Sequence, residues 1–136
     1  MKRTFLLLLL LQQLSYSYGQ NWSENSSPSY PELISHLQKL DRAHKEIKLY
    51  NMGPSDYGLP IYLCVVNGHK DSLKTFEKAQ EGTTILINNA IHAGEPDGIN
   101  ACLLWLDQWI RAGKPTMDAQ NRALPVIAFI AAYNVG

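Results

Sequence analysis

The stretch Thr83 to Ile110, "TTILINNAIHAGEPDGINACLLWLDQWI", decides how the chain is read. Thr83 to Ala90 is an apolar run of strand length that stops on two asparagines, Asn88 and Asn89. Asp97 to Arg111 is helical by pattern: Ile99, Cys102, Leu103, Leu106 and Ile110 share one face, while Asn100, Asp107 and Arg111 fall away from it. Gly113-Lys114-Pro115 ends that helix. Between strand and helix lies a short corner carrying His92, Gly94, Glu95 and Pro96.

Downstream, Leu124 to Tyr133, "LPVIAFIAAY", reads as a further strand. Strand, helix, strand in this order is a crossover unit, right-handed by rule, which leaves its two strands parallel. Upstream, Ile61 to Val66, "IYLCVV", is apolar on both alternating faces and is expected to be a central strand buried on both sides. Glu46 to Asn51 is expected to be a short edge strand, followed by a turn from Gly53 to Gly58. Ser29-Tyr30-Pro31-Glu32 fits a capping box, and Leu33, Ile34, Leu37 and Leu40 then recur at helical spacing, which predicts a helix over Pro31 to Arg42. A short turn of helix is expected near Leu73 to Ala79. Thr83 to Ala90 is read as a second central strand, and the run 124–133 as a strand with one edge wanting a neighbour. The fold class is α/β, a mixed, largely parallel sheet flanked by helices.

Twelve basic and twelve acidic residues in 136 cancel, so no strong electrostatic partner is implied and nucleic acid is excluded as a first guess. The N-terminus has the layout of a secretory signal: Lys2 and Arg3, an unbroken apolar run from Phe5 to Leu11, and small residues at Ser17 and Gly19. A membrane anchor needs about 20 apolar residues, whereas this run ends at Gln12. Residues 1–19 are therefore expected to be removed, leaving no stable membrane span, a formal charge of −2 and a secreted or periplasmic protein. Residues 20–30, rich in Asn, Ser and Pro, read as a flexible leader, with Asn21 and Asn25 in glycosylation sequons. Cys64 and Cys102, in an apolar strand and on a buried helix face, are read as two buried thiols rather than a disulfide.

In open α/β sheets, ligands bind beyond the carboxyl ends of strands, and the His92–Glu95 corner occupies such a position. Zinc accepts imidazole nitrogen and carboxylate oxygen, and side chains three residues apart across a corner can point at one ion. Gly94 lets the backbone turn sharply, and Pro96 suits the start of a helix. A His-x-x-Glu pair arises by chance in about one chain in five at ordinary composition. The residues alone thus leave two readings open: half of a metal site, or a solvated loop in which Glu95 is stabilised near a helix N-terminus. His36, His44 and His69 read as surface histidines, Trp105 and Trp109 as flanks of the packing face, and Asn88 and Asn89 as strand-ending or loop-bonding residues.

The segment "TTILINNAIHAGEPDGINACLLWLDQWI", followed after a spacer by "LPVIAFIAAYNVG", resembles the N-terminal part of the M14 family of zinc carboxypeptidases. The resemblance covers residues 31–136 and is most specific over 83–98. It implies that His92 and Glu95 are two zinc ligands, that Zn2+ is the cofactor, and that the substrate is the C-terminus of a peptide. Where many members carry arginine before the glutamate this chain has Gly94, and the family's Asn-x-Asp-Gly pattern becomes Asn134-Val135-Gly136. The family's third zinc ligand, general base and carboxylate-binding arginines cannot be placed in this chain. Residues 31–136 are therefore expected to be the N-terminal part of a catalytic domain, without peptidase activity alone. The other functions weighed are a related zinc amide or ester deacylase and a secreted α/β binding module without metal.

Overall fold

The computed structural model describes residues 26–67, 83–120 and 122–135. The signal segment 1–19, the leader up to residue 25, the turn of helix expected near 73–79, His69 and Gly136 lie outside the described residues.

Helix α1, Tyr30–Ala43, begins at the expected capping box: the Ser29 backbone N–H and hydroxyl both donate to Glu32 Oε2, at 2.9 and 2.6 Å. Its apolar stripe, Leu33, Ile34, Leu37 and Leu40, is buried. Strands β1, Ile47–Pro54, and β2, Pro60–Val66, form an antiparallel hairpin through a turn in which Gly58 N–H donates to Ser55 O. Strand β3, Thr84–Asn88, leads into helix α2, Asp97–Arg111, and the chain returns as β4, Val126–Ile130. The sheet order is β1-β2-β4-β3.

The crossover unit is present, with β3 and β4 parallel in register from Thr84↔Val126 to Asn88↔Ile130. The sheet is mixed as expected, and its parallel character is confined to that pair: β2 runs antiparallel to both β1 and β4. Two expectations on strand position are corrected. Strand β3 is at the edge of the four-stranded sheet, not in its centre, and all five of its residues are exposed. Strand β4 has a partner on each side, so the sheet edges belong to β3 and β1. The apolar composition of both strands is the same; strand order, which local pattern does not encode, decides which is covered. Strand β2 is central as read, but burial is complete only at Cys64, Val65 and Val66.

Both helices contribute to one core. Leu33, Leu37, Leu40, Cys102, Leu103 and Leu106 pack with Ile47, Cys64, Val66 and Phe129 of one sheet face. Val65, Val126 and Ala128 form a smaller cluster on the other face. On α2, Trp109 is buried where Ile110 had been expected; its indole N–H donates to Pro115 O at 3.1 Å, and its ring stacks on Trp105. The α2 C-terminus is tied to the start of β1 by Lys114–Glu46 at 3.1 Å. Cys64 and Cys102 are free and buried, and burial pushes both thiols up from their ordinary range.

Candidate metal centre

The sheet positions the corner by extending its pairing past the strand ends. Tyr133 N–H donates to Asn89 O and Asn134 N–H to Ala90 O, both at 2.9 Å, so the segments after β3 and β4 leave side by side. Ala90 then adopts a φ of 49°, which swings the chain out of the sheet direction. At Gly94 φ is 84°, and Glu95 N–H points back to His92 O at 3.4 Å, the arrangement of a tight turn with glycine at its third position. Pro96 is the helix N-cap residue, and Asn100 N–H donates to its carbonyl at 3.0 Å.

This turn brings the two candidate ligands together. His92 Nδ1 lies 3.1 Å from Glu95 Oε2, with the side chains 75% and 68% exposed. An ion pair so exposed contributes little to stability. Its 3.1 Å separation is that of an ordinary hydrogen bond and is also close to the spacing of two ligands on one ion. Donors at 2.0 to 2.2 Å from a tetrahedral ion stand roughly 3.3 to 3.6 Å apart, so a shift of a few tenths of an ångström makes room for zinc. The residue types and their separation therefore fit the ion. Among the described residues, no group of three or more His, Cys, Asp or Glu side chains is gathered at one point.

Beside the pair is an open pocket of about 260 Å3. Leu33, Ile99, Ala132 and Val135 supply apolar walls, and Asn134 a polar one. Pro28, just before α1, and Tyr30, its first residue, also line it, and the Tyr30 hydroxyl donates to Pro60 O. No signal in the sequence placed these N-terminal residues beside the corner, because the contact depends on how α1 lies across the sheet. His36 and His44 are on and beside α1, away from the pair; burial and nearby lysines lower both imidazoles from their ordinary value.

Asn88 and Asn89, left open by the sequence, differ in role. Asn88 closes β3, whereas Asn89 is 2% exposed and its amide faces Cys102, with Nδ2 at 3.4 Å and Oδ1 at 3.7 Å from the sulfur.

Comparison with known proteins bears on this arrangement. The family model described as zinc carboxypeptidase matches residues 33–127. Curated protein sequences gave no match. Among solved structures, the chain is similar to the crystal structure of carboxypeptidase A from Helicoverpa armigera, with a TM-score of 0.61 and 16% identity. That likeness covers 97% of this chain and 32% of the other, so the chain spans about a third of the length of the structure it matches, and at this identity the likeness speaks for the fold. With the family model covering most of its length, the chain belongs to the zinc carboxypeptidase family.

Proposed function

We propose that residues 31–136 are the N-terminal part of the catalytic domain of a zinc-dependent metallocarboxypeptidase, in which His92 and Glu95 are two of the metal ligands. The observation that carries this reading is the 3.1 Å approach of His92 Nδ1 to Glu95 Oε2 at a strand-to-helix corner, in a chain of this family. The third ligand and the general base belong to parts of the protein beyond the described residues. Residues 1–19 act as the signal for export, the residues from 20 up to the start of α1 as a leader, and the protein works outside the cytoplasm. No helix among the described residues is long and apolar enough to cross a membrane.

When bound, zinc supplies Lewis-acid polarisation of the scissile carbonyl and a water acidic enough to attack near neutral pH. The residues of this chain hold and orient. The turn at Gly94 sets the separation of the two donors, and the sheet-end hydrogen bonds at Asn89 and Ala90 fix where the corner projects.

A second reading is favoured by Gly94. It offers no side chain to an extended peptide, and a deacylase acting on small acylated amino acids would not need one. The test uses the full-length protein and mass spectrometry of two substrate sets: peptides with a free C-terminus, and N-acylated amino acids. Release of the C-terminal residue from peptides, abolished by a zinc chelator and by His92→Ala or Glu95→Gln, is expected. Cleavage of acylated amino acids alone selects the deacylase. Peptide cleavage that survives chelation and both substitutions contradicts the zinc reading.

A further inference from the structure

A buried polar cluster lies three residues ahead of His92. Asn89, the first residue after β3, is buried, and the only other buried polar residue among those described is Asn67. A buried amide is costly unless it is hydrogen-bonded, and the Asn89 side chain faces Cys102, a thiol that donates and accepts weakly. An apolar side chain of similar size would fill the space at lower cost. The amide also sits so close to α2 that a Cβ on Gly98 would come within 2.8 Å of Asn89 Oδ1. Gly98 has an ordinary helical backbone, so it is this approach that calls for glycine there. The backbone carbonyl of Asn89 meanwhile accepts from Tyr133 N–H, in the segment leaving β4.

Three segments thus meet on one residue: the end of β3, the first two turns of α2, and the chain after β4. The His92–Glu95 corner is the only stretch between the first two. Resting on the metal-site reading above, we propose that Asn89 is a positioning residue for the His92–Glu95 pair, acting through the corner backbone, with Gly98 as the packing surface and Cys102 as the anchor that hold its amide in place. Asn89 touches neither metal nor substrate. It limits where the corner can lie, and so sets the approach of the two donors without contacting either.

The test is amide hydrogen exchange in the full-length protein, because the Glu95 amide is closed by the turn bond to His92 O and reports on the corner directly. Asn89→Ala is expected to speed exchange at the Glu95 amide by about tenfold or more, the scale of one lost buried hydrogen bond, while the core amides of α1 keep their rates. Cys102→Val, which keeps the asparagine and removes its anchor, is expected to act in the same direction, and Cys102→Ser to leave the corner as it is. Should Asn89→Ala not fold, the Cys102 pair carries the test. Equal acceleration in the corner and in α1, or an unchanged corner in Cys102→Val, overturns the proposal. Peptide hydrolysis by Asn89→Ala and Cys102→Val is expected to fall in kcat with KM little changed, and by Cys102→Ser to stay as it was. If the unsubstituted protein cleaves nothing, the functional reading fails, while the exchange result still decides whether Asn89 holds the corner.

Discussion

Gly94 and Gly98 stand four residues apart and are glycine for opposite reasons. At Gly94 the backbone has a φ of 84° and a Cβ would meet nothing within 4 Å. At Gly98 the backbone is helical and a Cβ would meet Asn89. Gly94→Ala therefore carries only the left-handed backbone penalty, about 1 to 2 kcal/mol. Urea unfolding of Gly94→Ala is expected to show a loss of that size, and an unchanged midpoint would contradict the turn described. The first effect was legible in sequence, since a glycine between two potential ligands at a strand-to-helix corner has a local meaning. The second was not. The contact of Asn89 with Gly98 and Cys102 depends on how α2 packs over the end of β3, and nothing in residues 89–102 read singly announces it.

At the scale of elements, α1 carries a pH dependence of its own. His36 lies low from burial first and from Lys39 second, with Asp107 on α2 pulling the other way. His44 lies low from burial and from Lys114, against Glu46. In each case the folded value is below the unfolded one, about 6.5, so the unfolded chain binds more protons as the solution is acidified. The stability these neutral imidazoles allow is complete above about 6.5 and is lost as pH falls through their folded values. Thermal unfolding followed by circular dichroism is expected to show a falling Tm between neutral and mildly acidic pH, with a shallower slope in the His36→Gln, His44→Gln double variant. An identical slope in both proteins would contradict the burial of these rings. Glu32, held below the usual carboxylate range by the Ser29 hydroxyl and backbone N–H, adds its loss only at more acid pH.

The limits of α1 and α2 were legible because caps and apolar spacing are local: Ser29 with Glu32 opens one helix, and Gly113 follows the other. The place of β3 was not. Ile85, Leu86 and Ile87 look like a covered strand, yet they are exposed at the sheet edge, because β4 returns between β2 and β3. An alternation of apolar residues states what a strand can bury, and the order of strands determines what it does bury.

Over the whole molecule, two helices on one face of a mixed sheet present the His92–Glu95 corner beyond the carboxyl end of β3, where such sheets hold ligands. The match to residues 33–127 assigns the family, and the likeness to a solved carboxypeptidase A assigns the fold over about a third of that chain's length. Everything proposed about zinc and peptide hydrolysis depends on one local arrangement, the meeting of an imidazole and a carboxylate across a glycine turn. The measurement that tests it most directly is anomalous diffraction at the zinc edge from crystals of the full-length protein. A peak at about 2.0 to 2.2 Å from both His92 Nδ1 and a Glu95 carboxylate oxygen is the predicted result. A fully zinc-loaded protein whose peak lies elsewhere, with His92 and Glu95 still bonded only to each other, would contradict the account.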